Sequence, residues 1–281
     1  MNNDLVIPKP ALITGFLRNP IFVREHGTWA ILIIPLVTGF LRSENHSASV
    51  IPLLLANLFL FFAYHPFEII LQYSKTKSAA ARVQNALFWF VVYLVPGIFF
   101  GLYAAISTGR YILFLFALAA LCFLGAGILF QRKNKLSRTR ELLGIIGLSL
   151  GAPAVLYFLD GTISPASVIL WAFNVLFFLS SSLFVHLKMT ERTCSKDAAR
   201  AEEYRRILLQ NTMYQMGLLG LLLGVKALNI ISYPVVLAFL PMIIHCLYAA
   251  FPNGSPVNFK KVGFTFLAYS VFFGIMFAIK F

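Results

Sequence analysis

The chain reads as an all-α polytopic membrane protein with about nine transmembrane helices, and three observations predict this. Hydrophobic residues make up 59% of 281 positions, charged residues only 12%, and the mean hydropathy is +0.82. That leaves too little polar surface to cover a soluble globule. Apolar runs of spanning length recur along the chain, separated by short polar or basic connections. The 23 Lys and Arg residues outnumber the 10 Asp and Glu and fall in those connections, so the net charge of +13 reads as membrane topology rather than as a nucleic-acid surface.

Residues 1–19, with Pro8, Pro10, a short apolar run and Arg18, predict a segment lying on the membrane ahead of a transmembrane domain over 20–281. They show no basic n-region followed by a cleavage site, so the first span is expected to direct insertion. Spans are predicted at 20–41, 48–72, 85–106, 110–130, 141–159, 165–187, 208–229, 233–251 and 262–280. In the first, Asn19 suits a helix cap and Pro20 a first turn, which would carry Arg24, Glu25 and His26 about one turn inside. From Gly27 only 15 uncharged residues remain before Arg42, too few to cross a hydrocarbon layer of ~30 Å at about 1.5 Å per residue. The charged turn then either lines a site or anchors the helix at headgroup depth.

Nine spans put the termini on opposite sides. The side of the N-terminus carries 19 Lys and Arg and the other side 4, namely Arg42, Arg110, Lys226 and Lys280. This predicts a multi-pass protein of the cytoplasmic membrane with a cytosolic N-terminus and an external C-terminus. Two halves, 20–130 and 141–251, also resemble each other: Arg24-Glu25 recurs as Arg140-Glu141, Pro35 as Pro153, Asn57 as Asn174 and Phe67 as Phe184. The expectation is two parallel four-helix halves with a ninth helix at 262–280. Gly144, Gly147 and Gly151 match the spacing of Gly217, Gly220 and Gly224, and both sets are expected to line close helix contacts. Cys122, Cys194 and Cys246 have no framework or metal-type spacing and read as free thiols.

In the second span, Asn57, Tyr64, His65, Glu68 and Gln72 form one polar stripe that must face protein or water. His65 and Glu68, three apart and flanking Pro66, could make a ligand pocket or a hydrogen-bonded seam. The sixth span holds Asn174, Ser181, Ser182 and His186 and leads into Lys188, Glu191 and Arg192. Ser182 and His186 share a face, but no third group orients the histidine, so a nucleophile reading is set aside. Arg205, Arg206, Gln210, Asn211 and Tyr214 open the seventh span, and His245 follows Pro241 in the eighth. All these groups fall in the cytosolic half. The external half has only scattered polar residues such as Glu44, His46 and Asp160, which counts against a transport pathway. Histidines and carboxylates in one basin could hold a divalent metal, though no specific metal motif is present and the cofactor stays open.

Arg24-Glu25-His26-Gly27-x-Trp29, followed by an apolar run with Pro35, resembles the YwiC-like membrane proteins of bacteria, and the stretch from Arg140-Glu141 to Pro153 is similar. More distantly, the helical plan resembles UbiA-type prenyltransferases, with nine helices and a lipid-open cavity closed by cytosolic loops after helices two and six. That resemblance implies aspartate-rich loops holding magnesium against a prenyl diphosphate. The matching places here, His65 to Lys77 and His186 to Arg192, lack the paired aspartates. The central polar cluster is expected to be Glu25, His26, His65 and Glu68, as the catalytic group if the protein is an enzyme. Asn57, Tyr64, Lys75, Asn174, Ser182, His186, Lys188, Arg192, Asn211 and His245 are the candidate substrate-binding residues. The partner would be a membrane lipid or an isoprenoid or other amphiphile, not nucleic acid. A lipid-handling enzyme, a non-enzymatic binding factor and a transporter all stay open.

Overall fold

The computed structural model describes residues 20–22, 26–73, 79–134, 137–194, 198–248 and 259–278. They form ten α-helices: α1 His26–Arg42, α2 Ile51–Tyr73, α3 Ala80–Thr108, α4 Leu113–Asn134, α5 Ser137–Ser149, α6 Gly151–Asp160, α7 Pro165–Cys194, α8 Ala198–Ala227, α9 Tyr233–Tyr248 and α10 Phe259–Ala278. Taken as one broken rod, α5 and α6 make a single helical stretch, so a described helix overlaps each of the nine expected spans. Six of the helical stretches are long and apolar enough to cross a membrane, and Gly27–Arg42 and Tyr233–Tyr248 are shorter apolar helices. The chain is an all-α polytopic membrane protein.

The break between α5 and α6 follows from Pro153. Its ring removes one backbone donor and crowds the carbonyl four residues back, at Ser149. The backbone answers with a tighter bond from Leu150 N–H to the Gly147 carbonyl and resumes with Ala154 N–H on Leu150. Every residue of α6 from Gly151 to Leu159 is buried. The helix stops where Gly161 takes a left-handed φ of 81° and its N–H returns to the Tyr157 carbonyl. A side chain at Gly161 would also collide with the Arg110 guanidinium.

The start of α1 differs from expectation. Pro20, Ile21 and Phe22 are not helical, and α1 runs from His26. Phe22 instead lays its ring against Phe62 and Tyr93. The predicted interfacial segment 1–19 lies outside the described residues.

The helices gather into two compact units. Unit one holds Pro20–Phe22, α2 and α3 up to Tyr103. Its two helices are zipped by stacked ring pairs, Phe67 on Phe90 at 5.4 Å and Phe59 on Phe100 at 6.0 Å between centroids. A Cβ at Gly97 would lie 2.9 Å from the Leu60 side chain, so the glycine sets how closely α2 and α3 approach.

Unit two holds α1 and α4–α10, with the last turn of α3. Its core is a run of phenylalanines: Phe273 of α10 stacks at 4.3 Å on Phe177 of α7 and lies 5.3 Å from Phe239 of α9 and 4.5 Å from Phe277. In the same unit α1 packs against α6 and α10, and α4 against α5. A Cβ at Gly39 would run into the Ala152 carbonyl, one at Gly151 would meet Leu36 at 2.9 Å, and one at Gly147 would meet Phe123 at 3.2 Å. Gly144 of the first set has nothing within 4 Å of that position, and the whole second set behaves likewise: Gly217, Gly220 and Gly224 meet nothing there and are exposed. That set does not line a close helix contact. The opposite face of α8 carries the polar residues, which turn inward and so take the burial that a glycine contact would have needed.

Candidate functional site

The polar groups of unit two collect at one end, where α5 and α10 begin and α7 and α9 finish. Glu141 stands one turn into α5. Its carboxylate lies 2.8 Å from His186 Nε2 and also accepts a hydrogen bond from Ser182. Ser182 and His186 are four apart on α7, so both reach the same acceptor from one face. The histidine that the sequence left without an orienting group therefore has one. Because the serine donates to the carboxylate rather than to the imidazole, the three do not form a nucleophile relay, which needs the histidine between serine and acid.

One turn on, Lys188 Nζ meets Glu191 at 2.6 Å, with both side chains mostly covered, and the same ammonium lies 5.8 Å from the centre of the Phe184 ring. Phe184 packs edge-on against His245 at 5.0 Å, and Lys188 acts electrostatically on that histidine. His245 Nδ1 is 3.2 Å from the Tyr269 hydroxyl of α10. These two side chains line a cleft of about 320 Å³ whose other walls are Pro241, Ile244 and Tyr248. Ile244 and Tyr248 are exposed on its rim. The cleft is therefore largely apolar, its polar groups being the His245–Tyr269 pair and the Tyr248 hydroxyl on the rim. Arg192 stands exposed at the end of α7, and Arg138 lies close enough to Glu141 to act on it electrostatically.

Below this end lies a fully buried polar chain. Ser180 donates to Gln215 at 2.9 Å, Gln215 to Asn211 at 3.4 Å, and Asn211 to the Cys246 carbonyl at 3.1 Å. The last bond ties α8 to α9 through a backbone carbonyl. Asn174 is likewise buried, bonded to the Leu170 carbonyl and to Thr38 of α1. Asn174 and Asn211 thus serve as ties between helices.

The α2 candidates belong to unit one. On α2, Asn57 turns back to the Leu53 carbonyl at 2.8 Å, and His65 faces Glu68 at 3.7 Å across one turn. Tyr64, on the same helix, is partly buried. Glu25, Lys75 and the side chain of His26 lie outside the described residues, so the convergence expected of Glu25 and His26 with His65 and Glu68 does too. Among the described residues no three His, Cys, Asp or Glu side chains gather as metal ligands would. Glu141 is the site residue that reading the chain for chemistry missed. The recurrence of Arg24-Glu25 as Arg140-Glu141 was the signal that could have found it.

The model of the YwiC-like protein family matches residues 22–156. Residues 22–156, just under half of the chain, are thus similar to the YwiC-like family. The matched stretch takes in α1 to α5 and the start of α6, including Glu141, and ends before Ser182, His186 and His245. A Haemophilus influenzae protein described as uncharacterised is 28% identical over 171 residues, covering 60% of this chain and 67% of its own length. The Bacillus subtilis protein YwiC, also described as uncharacterised, is 26% identical over 169 residues, covering 60% and 67%. No solved structure gives a significant match.

Proposed function

We propose that this YwiC-like membrane protein holds an amphiphile, an isoprenoid or another lipid, with its chain along the cleft beside α9 and α10 and its polar head toward His245 and Tyr269. The observation that carries this reading is the composition of the cleft: largely apolar walls of Pro241, Ile244 and Tyr248 around a single hydrogen-bonded pair of side chains. An apolar pocket with few polar groups suits a molecule that is itself mostly apolar. Arg192 supplies positive charge at the same end of the unit, where a phosphorylated head would be met by a cation.

Prenyl transfer is the finer form of this reading. It asks for carboxylates that hold metal ions against a diphosphate. Glu141 and Glu191 are engaged with His186 and Lys188, and Lys188 is neutralised by that pairing, so a phosphorylated head here would be met first by the exposed Arg192. Binding without catalysis needs only the cleft. From the count of 19 against 4 we also propose that this end and the N-terminus face the cytosol and the C-terminus the outside, in the cytoplasmic membrane.

Native mass spectrometry of the full chain released from mild detergent tests the reading. The wild type should retain a bound amphiphile, and His245→Ala or Tyr269→Phe should lower its occupancy by about threefold or more, the scale of one lost hydrogen bond. Equal occupancy in all three proteins, or a wild type that retains nothing, would remove the cleft as the binding site.

A further inference from the structure

In unit one, α3 carries two buried donors that the protein does not use. Tyr93 is 5% exposed, and neither its hydroxyl nor Trp89 Nε1 has a hydrogen-bond partner among the described residues. The two residues are four apart, so they share one face a single turn apart, with ring centroids at 5.4 Å. Phe62 of α2 lies 5.4 Å from Tyr93, Phe88 lies 5.5 Å from Trp89, and Phe22 lies 5.7 Å from Phe62 and 6.2 Å from Tyr93. A buried donor without an acceptor is rare and is held at the cost of a lost hydrogen bond. Two together on one face, in the first half of an apolar helix, mark a place built for an acceptor that comes from outside the chain.

We propose that the Trp89–Tyr93 face binds a carbonyl oxygen carried by an apolar molecule. The indole can only donate, so the complementary group must accept, and a carbonyl oxygen has two lone pairs with which to take both donors. The walls named above are aromatic, with the Asn85 amide one turn before Trp89 on the same face, and offer no counter-charge, which disfavours an ionised ligand and favours a flat or hydrocarbon body. Phe22 is 46% exposed and stands outside any helix, so it forms the yielding edge through which such a body would enter. The carbonyl could be an acyl ester of a phospholipid or a ring ketone of a quinone. This face belongs to unit one and does not depend on the cleft of unit two.

Titration calorimetry on the delipidated full chain in detergent tests it with three probes. These are a short-chain benzoquinone, dioleoyl phosphatidylglycerol, and the ether-linked counterpart of that lipid, which has no carbonyl. One of the first two should bind saturably and the ether lipid should not. Which of them binds identifies the source. Tyr93→Phe and Trp89→Phe keep a ring and remove a donor, and each should weaken that binding roughly three- to tenfold. Saturable binding of neither carbonyl probe, equal binding of the ether lipid, or unchanged affinity in both variants would overturn the proposal. An unpartnered hydroxyl adds nothing to the ligand-free fold, so ligand-free Tyr93→Phe should unfold at or above the wild-type temperature. A clearly lower midpoint would mean that the hydroxyl already has a partner, and would overturn it as well.

Discussion

Glu141 and Gln215 illustrate two uses of polar side chains in one unit. Gln215 is completely buried and joins Ser180 to Asn211, so replacing it with alanine leaves a donor and an acceptor without partners away from water. Gln215→Ala should cost about 2–4 kcal/mol, read as a lower unfolding midpoint in detergent. The side chain of Glu141 is 38% exposed beside His186. Its pairing is screened, so Glu141→Gln should cost no more than about 1 kcal/mol. The order of these two losses is the test: an equal or larger loss at Glu141 would show that the half-exposed pair holds the unit together. Both residues were visible as letters. That one would be enclosed and the other half-open was not, because polarity is a property of the residue and burial a property of its neighbours.

At the scale of the helix, the two glycine patterns have the same spacing and opposite environments. Gly39 and Gly151 bring α1 against α6, where an added Cβ meets the Ala152 carbonyl or the Leu36 side chain. Gly220 faces outward from α8 with open space around it. Gly151→Leu should therefore destabilise by about 1–3 kcal/mol through overpacking. Gly220→Leu should stay within about 0.5 kcal/mol of the wild type, as outward-facing substitutions do. Thermal unfolding of the two variants in one detergent checks this, and equal tolerance would remove the packing argument for α1 and α6. Spacing alone places three glycines on one face of a helix. It does not say which way that face turns, and on α8 the competing face carries Asn211 and Gln215, whose hydrogen bonds decide the rotation.

For the molecule as a whole, the basic residues and the span count make a joint prediction. A reporter after Phe281 should be external, and one in the stretch from Lys188 to Arg206 cytosolic. Cysteine labelling that found both on one side would break the nine-span arrangement. The outward surface agrees with a lipid setting: α3 and α4 expose Val95, Phe99, Ile106, Leu115, Leu118 and Leu121, residues that would cluster and aggregate in water.

What the chain determined by itself is the class of the protein, because the hydrocarbon layer acts on each apolar run separately and sets its length whatever the neighbours are. The break at Pro153 is likewise local in cause, since a missing donor and a ring clash need no distant partner, although the sequence singles that proline out only as the repeat match to Pro35. The tertiary structure alone decided which polar groups meet. Glu141 and His186 are 45 residues apart, whereas His65 and Glu68 meet across one turn of the same helix. Contacts across that distance depend on how several helices rotate and pack at once, and that is settled by the phenylalanine core, the close glycines of α1 and α6, and the buried hydrogen bonds of α7, α8 and α9 acting together.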